Sequence, residues 1–245
     1  MGGLKYKCPD RDGTGGALHR NSPAKRHPLP PQEGYFGEGM KGVLSVVVAY
    51  LLGSIPFAYL IGRLKGIDIR RVGDRNVGSA NVFRHVGLAA GITTLIADIG
   101  KGALAVLVAM ALGGEWLLWY LAGGAVVVGH NWSPFLRFRG GRGVGPTIGV
   151  LLTLLPREML IALGLAALPF FLTRNIIWCG MTIFIPLPLL CWLFGEPISL
   201  LAYSIALPCL LVFTHWLATR RLPPEAREET NRFWVTSQRK AKNQP

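Results

Sequence analysis

The sequence predicts an all-α fold: a polytopic integral membrane bundle of about seven transmembrane helices, N-terminus outside and C-terminus cytoplasmic. Three observations carry that expectation. Of 245 residues, 51% are hydrophobic and only 16% charged, with mean hydropathy +0.38. Apolar runs of bilayer-crossing length recur along the chain. The Lys and Arg residues behind the net charge of +13, Lys101 apart, lie outside those runs, in the turns between them and towards both ends of the chain, as a membrane protein with Lys/Arg-rich cytoplasmic loops would place them. A soluble domain is rarely so apolar and so basic at once. Nucleic-acid binding, the other explanation of a pI near 10.1, needs the cations gathered on one soluble face beside aromatic platforms. Here they alternate with apolar runs, so no nucleic-acid partner is expected.

Residues 1–40 are rich in Gly, Pro, Lys, Arg and His. Such a segment buries too little apolar surface to offset its ordering, and it reads as a flexible basic extension. A membrane domain over 41–217 and a charged cytoplasmic tail over 218–245 follow. The first span is 43–62, ended at the interface by Arg63 and Lys65. The loop over 65–85 sets Arg70, Arg71, Arg75 and Arg84 against Asp68 and Asp74 alone, and so faces the cytoplasm.

The second span, 87–112, carries Asp98 and Lys101 in the phrase ADIGKG. Charges at that depth are costly unless paired or turned to a wet cavity, so two of them three residues apart mark one polar helix face. A self-neutralising ion pair explains them as economically as a substrate site does. The third run is 116–128. Next come 144–155 and 159–172, separated by Pro156, Arg157 and Glu158. They read either as two short tilted helices or as one broken helix. Spans over 176–194 and 198–216 complete the bundle, divided by Gly195, Glu196 and Pro197.

Seven crossings place the 65–85 and 130–142 loops, Arg174 and the tail on one side, and Glu115, Glu158 and Glu196 on the other. Five or six crossings also fit the hydropathy. Cys8, Cys179, Cys191 and Cys209 include no C-x-x-C pair and no histidine at zinc spacing, so neither a disulfide nor a metal site is expected.

The chemistry concentrates in 129–150, GHNWSPFLRFRGGRGVGPTIGV. Gly140, Gly141, Arg142, Gly143 and Gly145 precede an apolar run, with Arg137 and Arg139 upstream. Glycines let backbone N–H groups turn inward, and a helix start adds further unpaired ones, a pattern suited to phosphate. A helix–helix turn whose arginines meet lipid headgroups fits equally well. The stretch is not a Walker A loop, because no Gly-Lys-Ser/Thr ends it. No G-x-S-x-G elbow, paired-carboxylate acid/base set or H-E-x-x-H helix occurs. Three basic turns on one membrane face would suit a site where a lipid precursor meets a water-soluble phosphate. Catalysis there would rest on orientation and charge stabilisation, with no covalent intermediate.

At these residues the chain resembles the membrane acyl-phosphate glycerol-3-phosphate acyltransferases, the PlsY family, over nearly all of 42–222. GSIPFAYLIGRLKGIDIRRVG at 53–73 looks like the family's first helix and its exit. The motif GSGNxGATNxxR is matched at Gly73, Asn76, Gly78, Asn81 and Arg84, and ADIGKGALAV resembles its Asp-x-x-Lys-Gly helix. The most specific motif, GHxxPxFxxFxGGKGVATxxGV, is matched at Gly129, His130, Phe138, Gly140, Gly141, Gly143, Val144, Thr147, Gly149 and Val150. HxENIxRL survives as His215, Arg221 and Leu222.

The resemblance implies an enzyme of the bacterial inner membrane with a cytoplasm-facing site and no cofactor. It would move a fatty acyl group from acyl phosphate to the 1-hydroxyl of sn-glycerol 3-phosphate, the first step of phospholipid synthesis. The acyl phosphate's own phosphate would serve as base. Arg142 and His215 would orient and stabilise charge. Asn76, Gly78, Asn81, Arg84, Lys101, His130, Gly140, Gly141, Gly143 and Thr147 would bind the two substrates, with membrane lipid as surroundings.

The departures from the family pattern fall on polar positions. Asp74 stands where the family has serine, Arg75 where it has glycine, and Ser79-Ala80 where it has Ala-Thr. Arg142 replaces its lysine, Gly145-Pro146 its second Ala-Thr, and Leu217 and Ala218 its Glu and Asn. Asp74 would repel a nearby phosphate unless Arg75 or another arginine neutralised it. Two other readings follow: an acyltransferase with a different phosphorylated acceptor, and a non-catalytic anion- or lipid-binding relative. An organic-phosphate transporter fits less well, because the sequence has no internal repeat.

Overall fold

The computed structural model describes residues 33–113, 115–173 and 176–220. Residues 1–32 of the expected basic extension, Arg174 and most of the charged tail, including Arg221 and Leu222, lie outside those residues, whereas 33–40, expected to be flexible with them, form the first turns of a helix that runs on into the apolar span. The fold is helical, without a strand among the described residues. Among the described residues the α-helices are α1 Glu33–Ser54, α2 Phe57–Leu64, α3 Ser79–His85, α4 Leu88–Ala111, α5 Trp116–Asn131, α6 Val144–Leu154, α7 Pro156–Thr173, α8 Ile176–Phe184, α9 Leu187–Leu193 and α10 Ile198–Thr219.

Among the described residues, three segments are long and apolar enough to cross a membrane singly: Gly39–Leu64, Leu88–Ala111 and Ile198–Thr219. The first expected span is two helices, because Pro56 lacks an N–H and restricts the residue before it. α1 therefore stops at Ser54 and α2 resumes at Phe57. The 144–172 run is likewise broken, with α6 and α7 meeting at Leu155. The run after Ile176 breaks ahead of Pro186. α5 continues past the expected end of its span and carries His130 and Asn131 in its last turn.

α4, α5 and α6 form the centre, with α1 against α4 and α5. Ala105, Val106, Ala122, Val126, Val127, Val150, Leu151 and Met159 make its core. In lipid, helices gain from close backbone approach more than from greasy contacts, so crossings favour small residues. A side chain on Gly53 would strike the Val126 carbonyl of α5, and one on Gly149 the Ile99 carbonyl of α4. The outer surface is apolar instead: Leu60, Ile96, Leu107, Leu121, Leu168, Phe171 and Val212 are exposed. Apolar exposure on this scale suits a lipid-facing surface.

Candidate active site

Two buried polar clusters share one end of the bundle, joined by the turn over 140–143. The first sits on α4. Asp98 and Lys101, one turn apart, pair at 2.9 Å. Lys101 also donates to the Ile55 carbonyl at 2.9 Å, in the break between α1 and α2. His130 of α5 places Nδ1 3.6 Å from the same Asp98 oxygen. Ser133 donates to the Ser54 carbonyl at 2.6 Å and Tyr50 to the Trp132 carbonyl at 2.9 Å, tying α1 to the chain leaving α5. The cavity beside Asp98, His130, Ser133 and Gly141 measures about 10 Å³, room for a water and not for a substrate.

The connecting turn needs its glycines. The Gly140 N–H donates to the Asn131 carbonyl and the Gly141 N–H to the His130 carbonyl, each at 3.0 Å. A Cβ on Gly141 would run into the His130 ring and the Val77 carbonyl. Gly143, at φ +85°, caps α6 in a left-handed conformation open to glycine at little cost. Beside that cap, both amide atoms of Asn131 and the Thr147 hydroxyl are buried without a hydrogen-bond partner. Buried polar groups are nearly always paired, so these three atoms mark a place where a ligand would complete them.

The second cluster centres on Asp74, which follows Gly73 in the turn between α2 and α3. One carboxylate oxygen lies 3.0 Å from Arg142 and 3.3 Å from Arg84, and the other accepts the Asn76 N–H at 3.2 Å. The Asp74 and Arg84 side chains are 1% exposed and Arg142 is 11% exposed. Burial pushes the pKa of Arg142 down, Asp74 opposes that, and Arg84 adds to it. His215, on α10, lies within electrostatic reach of both Arg142 and Asp74.

Arg84 and Arg142 are thus brought together at Asp74, as are Lys101, His130, Gly140 and Gly141, while His215 is in electrostatic range of Arg142 and Asp74. Gly143 and Thr147 stand at the start of α6. Asn76, Gly78 and Asn81 shape the Asp74 turn. The Asn81 amide donates to the Ile69, Val72 and Asn76 carbonyls at 3.2, 3.1 and 3.0 Å, while the Gly78 carbonyl accepts the Asn81 N–H at 3.1 Å. Sequence reasoning missed Asn131, and it missed Asp98 as the partner of His130. It left open whether Arg75 or another arginine neutralises Asp74; Arg75 is exposed, and Arg84 and Arg142 meet the carboxylate.

Residues 43–223 match the family model described as glycerol-3-phosphate acyltransferase. The chain belongs to that family. It is 40% identical over 182 residues to glycerol-3-phosphate acyltransferase 4 of Dehalococcoides mccartyi, covering 73% of this chain and 97% of that protein. It also resembles the crystal structure of PlsY (YgiH), an integral membrane glycerol 3-phosphate acyltransferase, in its glycerol 3-phosphate form. There the TM-score is 0.69 at 29% identity, over 83% of this chain and 99% of that one. For the lysophosphatidic acid form the values are 0.65 and 30%, over 77% and 97%. The membership agrees with the all-helical membrane architecture read from hydropathy, and with the motifs that carried the PlsY resemblance.

Proposed function

We propose that this chain is a membrane acyltransferase that moves a fatty acyl group from acyl phosphate to the 1-hydroxyl of sn-glycerol 3-phosphate. The observation that carries the reading is the meeting of Arg84 and Arg142 at Asp74, with His215 in range. Two glycine-bearing turns distant in sequence thereby converge, beside a helix start whose Asn131 and Thr147 lack partners. One phosphate would take the α6 N-terminus, Thr147 and Arg142. The acceptor's phosphate would take Arg84, with His215 beside it. Guanidinium groups match phosphate oxygens in bidentate fashion, and a helix start favours an anion.

The acceptor oxygen attacks the acyl carbonyl carbon, the carbonyl–phosphate bond breaks, and the hydroxyl proton leaves with the departing phosphate. A mixed anhydride is already activated, so the side chains need only hold the reactants together and screen their charge. No protein nucleophile or cofactor takes part. The site would face the cytoplasm of a bacterial-type inner membrane, with 41–217 as the catalytic domain between a basic extension and a charged tail.

A different phosphorylated acceptor is the second reading, favoured by Asp74 in place of the family's serine and by Leu217 and Ala218 in the third motif. A panel decides between them: palmitoyl phosphate, palmitoyl-CoA and palmitoyl carrier protein as donors, crossed with glycerol 3-phosphate, glycerol and other phosphorylated polyols as acceptors. The first reading expects product only from palmitoyl phosphate with glycerol 3-phosphate. Faster transfer to another acceptor would replace it with the second.

A further inference from the structure

Asp74 is an anion set where phosphorylated reactants bind, and a like charge in such a place weakens their hold. It is nonetheless built in. Its carboxylate is 1% exposed and contacts Arg142 at 3.0 Å and Arg84 at 3.3 Å through one oxygen, while the Asn76 N–H holds the other at 3.2 Å. The turn that carries it is itself pinned by the fully buried Asn81 amide. Arg84 and Arg142 repel each other, and a shared carboxylate is the simplest device that keeps both guanidiniums on one centre. Half of their charge is cancelled in the process.

We propose that Asp74 is a positioning residue shared by the two adjoining phosphate sites: it fixes both guanidiniums and halves their net charge, so that each phosphate group is held briefly and released. The proposal rests on the reading of this cluster as a phosphate site. The reaction forms two phosphorylated products, inorganic phosphate and lysophosphatidic acid, and both must leave before another turnover. A buried, unopposed guanidinium makes a strong oxyanion trap, and product release limits the rate of many enzymes. With Asp74 in place, an incoming phosphate competes with a resident carboxylate for the same N–H donors, which lowers its affinity.

The test compares the purified full chain with Asp74→Asn and Asp74→Ser, the latter being the residue that the family pattern has at this position. Inorganic phosphate is titrated against thermal unfolding, and steady-state kinetics are run with palmitoyl phosphate and glycerol 3-phosphate. Asp74→Asn is expected to bind phosphate about tenfold more tightly, the scale of one partly screened charge contact. KM for glycerol 3-phosphate and kcat should fall together, and product phosphate should inhibit more strongly. Asp74→Ser should shift the same way. Damage to structure alone would raise KM as kcat fell, and that outcome overturns the proposal. So does unchanged phosphate affinity in both variants, or failure of both to fold, which would assign Asp74 to stability alone. Wild-type protein that phosphate never stabilises would overturn the phosphate-site reading itself. Binding to wild type without a gain in the variants overturns this proposal alone.

Discussion

Arg142 Nη2 lies 3.0 Å from Asp74 Oδ2, so the GGRG turn and the turn after α2 close on each other through a buried ion pair. Arg142 is therefore held at a site, whereas Arg70 makes an exposed pair with Asp68 at 2.8 Å. Removing a preorganised donor to developing charge costs about 100-fold or more in rate, and exposed ion pairs contribute little. Arg142→Ala is expected to lower kcat/KM by about that much, with Arg70→Ala staying within about twofold of wild type. Equal losses in a phosphate-release assay would mean that these arginines serve only to orient the chain in the membrane.

The Thr147 hydroxyl is buried at the start of α6 without a partner. An unmet hydrogen bond in the free protein costs stability, and one made only to a ligand contributes about 1 kcal/mol to its binding. Thr147→Val should thus leave the melting temperature equal or higher while raising KM for the acyl donor about fivefold. A lower melting temperature with unchanged KM would assign Thr147 to structure.

Lys101 is satisfied by Asp98 and the Ile55 carbonyl, each at 2.9 Å. Lys101→Met leaves the buried Asp98 carboxylate with only the His130 ring, 3.6 Å away, and loss of the charged partner of a buried pair costs about 3–5 kcal/mol. The double variant Asp98→Asn with Lys101→Met should regain most of that stability. Activity assays on the stable double variant then separate two roles. Recovered turnover makes the pair a brace between α4 and the α1–α2 break, and stable but inactive protein makes Lys101 a substrate ligand.

Gly141 lies against the His130 ring, but Gly124 on α5 has open space where a Cβ would go. Gly141→Ala must push the turn that carries Arg142 off its position, and misplacement by an ångström costs about 100-fold in rate. Gly124→Ala adds a better helix former at no steric cost. Kinetics of both variants should show a large loss for the first and none for the second. A harmless Gly141→Ala would show that the turn's position is unimportant.

Hydropathy made the helical membrane architecture legible, because bilayer thickness acts on whole segments. Helix breaks were less legible. Pro56 and Pro186 lie inside apolar runs that hydropathy joins, and only their backbone chemistry divides them. The glycine-rich turn and its arginine were visible as a pattern, since glycine and arginine leave a local signature. The pairing of Asp74 with Arg84 and Arg142 was only half visible. The sequence says that Asp74 needs a cation, but which one depends on where α3 and the 140–143 turn meet in space. Asn131 was hidden because its signal, a buried amide without partners, exists only once the helices are packed.

Acyl transfer here takes place between two phosphorylated reactants gripped at converging basic turns. Its most direct test is to incubate purified protein in lipid with palmitoyl phosphate and radiolabelled glycerol 3-phosphate and to measure both products. Lysophosphatidic acid and inorganic phosphate are expected in equal amounts, with phosphate release dependent on glycerol 3-phosphate and lost in Arg142→Ala. Phosphate release that ignores the acceptor, or labelled product formed equally well by Arg142→Ala, would contradict it.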